Sequence, residues 1–215
     1  MIIAELTPEL LETGFSYTFY RKELVRLTKF GKTTGDCHTP ERVDATMAHM
    51  DRMTHLDRSF SVPQQIWHHI QKLPANLLFV SIVEGWQADC AEFLPVANKL
   101  IGSHPLWQHI ILLRDEVPMI VNHLESLYPG SGSIPKLLVM EAQSFQVLTH
   151  WGPLPAEWLR KLESTNGKME VPDKKNWFAQ NNGAAIAAEL AQQIVEAGKK
   201  AAGMPMVTAK TKIRY

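Results

Sequence analysis

The chain has 215 residues, 45% of them apolar and 20% charged, enough to bury one substantial core with elaborations. Lys plus Arg and Asp plus Glu both total 22, so no global charge steers it toward nucleic acid or an anionic membrane. Two cysteines exclude a disulfide scaffold and point to a reducing compartment; the acidic start MIIAELTPELLE lacks the pattern of a secretory signal, and no apolar stretch approaches the roughly 20 residues needed to span a bilayer, so a cytoplasmic protein is expected.

Thr7-Pro8 followed by Glu9 predicts a helix start, with Thr capping and Pro in the first turn, and Gly14 ends that helix. From Phe15 to Phe30 the residues Phe19, Leu24, Leu27 and Phe30 recur at a loose helical spacing. GKTTGDCHTP, residues 31 to 40, reads as a loop. After Pro40 a Met-rich stripe of Val43, Met47, Met50, Met53 and Leu56 predicts an amphipathic helix whose apolar side faces the core. Ser61-Val62-Pro63 opens a further helix through Ile66, Trp67, Ile70 and Leu73.

The pattern then changes. LLFVSIV, residues 77 to 83, is a continuous apolar, β-branched run, the signature of a strand buried on both faces. A helix follows from Asp89 to Gly102, then a strand at WQHIILL (107 to 113) and a helix from Val117 to Leu127. That order implies parallel strands joined by a right-handed crossover. KLLVME (136 to 141) and FQVLTHW (145 to 151) stand only three residues apart, which forces an antiparallel hairpin. A helix closes this region over Pro155 to Leu162. Residues 164 to 176 read as a polar linker, GAAIAAELAQQIVEAGKKAAG as an Ala-rich helix, and the last dozen residues as a tail. From Lys168 onward eight Lys or Arg face four Asp or Glu, about +4 in sum, a solvated basic end rather than a nucleic-acid site.

Three local features carry chemistry. Trp86-Gln87-Ala88-Asp89-Cys90 follows a buried strand and enters a helix, and it resembles the WCxxC motif of thioredoxins with the first cysteine replaced. Ser133-Ile134-Pro135 precedes a hairpin strand, where thioredoxins carry a cis-proline facing the active site, and Pro95 matches the proline that kinks the family's active-site helix. GKTTG, DRMTHLDRS, EGWxxDCAxxLP, LLRDE, SIPKL and HWGPLP further resemble a bacterial subgroup of thioredoxin family proteins with a helical N-terminal extension. The resemblance implies a three-layer α/β/α fold with a mixed sheet. It divides the chain into a helical extension at 1–61, a thioredoxin-like domain at 62–164, and a linker, helix and basic tail at 165–215.

The site residues carried over are Cys90 as the remaining redox candidate and Trp86, Gln87, Ala88, Asp89, Ile134 and Pro135 as the peptide-binding rim. A dithiol enzyme needs an exposed thiolate at the helix N-terminus and a second cysteine one turn in to resolve the mixed disulfide. Gln87 occupies the attacking position, and an amide is no nucleophile. Cys90 matches the resolving position; even at an ordinary thiol pKa only roughly 3% would be thiolate at neutral pH, and adjacent Asp89 lowers that fraction further. The expectation is a thioredoxin-like protein that binds protein or peptide clients with little or no dithiol chemistry, the alternative being an oxidoreductase acting through Cys90 alone or with Cys37 of the GKTTGDCHTP loop. No cofactor, metal, nucleic acid or membrane is expected: Cys37-His38 has no second pair at zinc spacing, and no Gly-rich phosphate loop is present.

Overall fold

The computed structural model describes residues 1–73, 76–127, 133–165 and 171–203; the expected tail, the last dozen residues, lies outside these. Four helices come first: α1 (Pro8–Thr13), α2 (Tyr17–Lys29), α3 (Pro40–Ser59) and α4 (Gln64–Ile70). The first three begin on side-chain caps, with Thr7, Ser16 and Thr39 each accepting an N–H of the first turn, which satisfies a donor the helix cannot pair internally. There follow β1 (Leu77–Val83), α5 (Ala88–Ile101), β2 (Gln108–Leu113), a short 3-10 turn at Arg114–Glu116, α6 (Pro118–Leu127), β3 (Lys136–Glu141), β4 (Val147–Trp151), α7 (Ala156–Ser164), α8 (Val171–Asn181) and α9 (Ala184–Ala202).

The strands form one mixed sheet in the order β2-β1-β3-β4, with β2 parallel to β1 and the other two pairings antiparallel. β1 is central and buried at every residue, as its unbroken apolar run requires. One face carries Phe79, Ser81, Val139, Thr149 and Trp151. Against it lie α5, whose Phe93 ring stacks on Trp151 at 5.2 Å, and α9, whose Gln193 carbonyl accepts the Thr149 hydroxyl. The opposite face carries Leu78, near Leu11 of α1, and Lys136, within electrostatic reach of Glu125 on α6. Helices on both sides of a mixed sheet give the three-layer architecture.

Three expectations need correction. Residues 171 to 176 of the expected linker belong to helix α8, held by Trp177 and Phe178 against Trp158 of α7. On α2 the buried positions are Tyr20 and Leu24, whereas Phe19 and Phe30 are exposed. The helix touches the body along a narrower line than the apolar spacing suggests. On α3, Met47 likewise faces solvent and Thr46 takes a core position, hydrogen bonded to Thr33 at 2.5 Å.

Candidate functional site

β1 ends at Glu84-Gly85, and the chain turns through Trp86 into α5. Gln87 is the N-cap residue of α5, with extended backbone angles and no hydrogen bond from its side chain to the helix. Its N–H donates to the Glu84 carbonyl (3.3 Å) and its carbonyl accepts the Cys90 N–H (3.1 Å). The position from which a thioredoxin cysteine attacks is thus held by an amide that neither caps the helix nor can serve as a nucleophile. Ala88 is exposed, while Trp86 and Gln87 are half-buried.

Cys90 is 0% exposed. Burial pushes its thiol well above the ordinary range; a backbone hydrogen bond at Glu84 works against that, and the negative charges of Asp89 and Glu84 add to it. The thiol is therefore out of reach of solvent, and its neutral form is favoured. Cys37 is exposed and Cys90 buried, and both thiols are free.

The GKTTG loop does fold over the turn, through Thr34 rather than Cys37. The Thr34 hydroxyl donates to Glu84 Oε2 and accepts the Gly85 N–H at 2.7 Å. The Asp115 N–H donates to Glu84 Oε1 at 3.1 Å. Glu84 is wholly buried, and its carboxyl is raised to about 7: burial is the main cause, with Asp115 and Glu116 adding to it and the hydrogen bonds from Thr34 and Asp115 opposing it. Gly85 is glycine for want of room, since a Cβ there would lie 2.6 Å from Leu24 Cδ2 and 3.3 Å from Thr46 Cγ2. From α3, His49 Nδ1–H donates to the Gly85 carbonyl at 3.0 Å, and the Arg42 guanidinium lies 4.1 Å from the Trp86 ring centroid. That is the geometry of a cation–π contact.

α5 is tied from a third direction. Lys174 of α8 pairs with the largely buried Asp89 at 2.7 Å, and Arg52 of α3 meets Glu92 through two hydrogen bonds of 2.7 and 2.8 Å while also donating to the Phe178 carbonyl. Asp89, expected on the peptide-binding rim, is thus engaged with α8. On the other side of the turn, the β1–β3 register pairs Ile82 with Lys136, which brings Pro135 and Ile134 beside the Val83–Glu84 end of β1. The Ile134–Pro135 peptide bond is cis. Ile134 is 4% exposed and Pro135 is buried, leaving Ser133 at the surface. Trp86, Gln87, Ala88, Ile134 and Pro135 therefore converge at one end of the sheet, with Cys90 beneath them. No group of three or more potential metal-ligating side chains occurs among the described residues.

Sequence reasoning did not find Thr34, Arg42, His49, Glu84 or Lys174. The two adjacent threonines between glycines in GKTTG were the available hint, because short hydroxyl side chains on a tight loop suit backbone and carboxylate hydrogen bonds.

A family model described as Thioredoxin matches residues 38–171. Among solved structures, the 1.5 Å crystal structure of a protein of unknown function from Pseudomonas aeruginosa is similar at 16% identity and a TM-score of 0.59, covering 94% of this chain and 100% of that one. An HIV epitope-scaffold is similar at 13% identity and a TM-score of 0.50, covering 79% and 96%. Both likenesses concern the fold alone. No curated protein matches. The family match spans more than half of the chain and includes the strand, turn and helix around Cys90, so the chain belongs to the thioredoxin family.

Proposed function

We propose that this thioredoxin-family chain binds an extended polypeptide at the rim of Trp86, Gln87, Ala88 and Ile134–Pro135 and performs little or no dithiol–disulfide exchange. The observation that carries this is the pairing of Gln87 at the attacking position with a fully buried, protonated Cys90. Exchange needs an accessible thiolate to attack and a second to resolve; the first residue is absent and the second is sealed. The rim residues remain together, with Ala88 and Ser133 at the surface to receive a backbone running along the turn. Two free thiols suit a reducing compartment, which supports a cytoplasmic location; among the described residues no helix is long and apolar enough to cross a membrane.

Insulin reduction with dithiothreitol as electron donor tests the chemistry. The native chain is expected at background, and the Gln87→Cys variant above it, because the new thiol sits at the N-terminus of α5 where unpaired N–H groups favour a thiolate. Turnover by the native chain that vanishes in Cys90→Ser overturns the proposal in favour of an oxidoreductase working through Cys90 alone or with Cys37. Binding is read by fluorescence anisotropy of a labelled, reduced and carboxymethylated polypeptide; Ala88→Arg is expected to weaken it at least about fivefold, by placing a charge on the contact face.

A further inference from the structure

A second site lies at the far end of the sheet from Trp86. β2 runs parallel to β1 on the sheet's edge, so its start is remote from the turn, and α5 reaches the same end with Ile101. The chain arriving from α1 pairs with β2 at one point only, Phe15 with Ile111, through bonds of 2.8 and 2.9 Å. Between the start of β2, the first turn of α2 and the last turn of α5 this leaves a cleft of about 460 Å³. That is within the ordinary range for small-molecule sites.

Three properties of its walls define what it accepts. Aromatic rings dominate: Phe15, Tyr17, Phe19 and Trp107, with Phe19 54% exposed at the mouth. Charge is missing, since none of its fourteen lining residues is Asp, Glu, Lys or Arg. The lining groups that could ionise stay neutral: burial holds His109 down at about 3 and raises the Tyr17 phenol. Tyr17 also directs its hydroxyl to Asp57 and Arg21, so it offers its ring.

Beside the hydroxyls of Thr13, Ser16 and Thr18 and the rings of Trp107 and His109, the cleft has polar groups that come as donor–acceptor pairs. Asn98 of α5 and Gln108 at the start of β2 are among the lining residues; both are half-buried, and neither side chain has a hydrogen-bond partner among the described residues. Along β2, Ile111 turns both its N–H and its C=O outward to Phe15; strand alternation directs those of His109, two residues earlier, to the same free edge. An amide's N–H and C=O side by side are the complement of every one of these groups.

We infer that this cleft is a binding site for an uncharged, planar molecule bearing an adjacent N–H and C=O, a cyclic amide fused to an aromatic ring. It is independent of the Trp86 rim. Isothermal titration of the full chain with 2-quinolone tests it, beside N-methyl-2-quinolone, which lacks the N–H donor, and quinoline-2-carboxylate, which carries a charge. Saturable one-to-one binding of 2-quinolone is expected, with each comparison compound at least about fivefold weaker, the loss of one hydrogen bond or the penalty for a buried charge. Thr18→Trp, on an exposed position at the mouth, is expected to reduce affinity at least about tenfold by filling the cleft, and Asn98→Leu about fivefold. Circular dichroism establishes that both variants fold; should Asn98→Leu not, Gln108→Leu replaces it. No saturable binding of 2-quinolone, equal binding of either comparison compound, or undiminished binding in a folded Thr18→Trp chain overturns the assignment.

Discussion

Glu84 gives the most direct test of how the turn is built. Its carboxyl is wholly buried and raised from 4.5 to about 7, so in the folded state it holds a proton that the unfolded chain has already released. A raised folded pKa contributes stability in full below the unfolded value and loses it as pH climbs through the folded one. Between pH 5 and 8 the loss comes to about 2–3 kcal/mol, the cost of moving the carboxyl from 4.5 to about 7 at about 1.4 kcal/mol per pH unit. Histidines oppose this over part of the range. Burial depresses His49, His104, His109 and His150, and a depressed histidine adds stability as pH rises toward its unfolded value near 6.5. The quantity to measure is therefore the difference between the native chain and Glu84→Gln. A glutamine keeps the shape: its Oε1 accepts the Asp115 N–H and its Nε2 donates to Thr34 Oγ1. Urea melts at half-unit steps are expected to show Glu84→Gln gaining about 2–3 kcal/mol on the native chain from pH 5 to 8. A difference that stays flat across that interval refutes a proton on Glu84 and with it the electrostatic account of the turn.

Thiol labelling of the folded chain with a chromogenic disulfide reagent is expected to titrate one cysteine, Cys37, promptly; Cys90 is expected to react only at the rate of unfolding, and prompt labelling of both refutes its burial. Gly152→Ala is expected to lose about 3 kcal/mol or more in urea melts, because the residue has φ +112 and its Cβ would fall 2.1 Å from the Pro135 carbonyl oxygen, a backbone atom that cannot step aside; near-native stability would refute that contact. Phe93→Ala removes a fully buried ring stacked on Trp151 and is expected to cost about 3–5 kcal/mol, with a change in tryptophan fluorescence; a cost under about 1 kcal/mol would mean that α5 and β4 pack by other means.

What the sequence made legible follows the strength of local signals. LLFVSIV could be little else than a central strand, and the short gap before FQVLTHW left only a hairpin; strand and hairpin stand, but β4 begins at Val147 rather than Phe145, which has φ +54, and no local pattern marks the bulge at Val139–Met140. Helix α8 escaped because VPDKKNWFAQN has no apolar period. Its anchor is a pair of adjacent aromatics meeting Trp158 from another helix, a tertiary cause. The exposed faces of Phe19 and Phe30 escaped for the opposite reason: spacing says which residues share a side, not whether anything lies there. At the turn, Gln87 and Cys90 were visible because the chemistry of a single position decides them. Thr34 and Lys174 were not, since they reach the site from 50 and 85 residues away.

The surroundings of Cys90 bear on whether Gln87 is an isolated loss. An enzyme that cycles a dithiol must at some point carry negative charge on the inner sulfur, and cationic or donor-rich neighbours lower the cost of that. Here the neighbours do the reverse. Asp89, and Glu84 once it ionises, oppose a thiolate at Cys90. The cations close to α5, Lys174 and Arg52, are spent on Asp89 and Glu92. A site from which only the attacking cysteine had been removed would keep an environment suited to a thiolate one turn in. The environment that Glu84, Thr34 and α8 form instead suits a neutral side chain in a closed helix–sheet interface, so the electrostatics and the residue at position 87 support the same proposal, in which the turn is a binding surface and the thiol beneath it is packing.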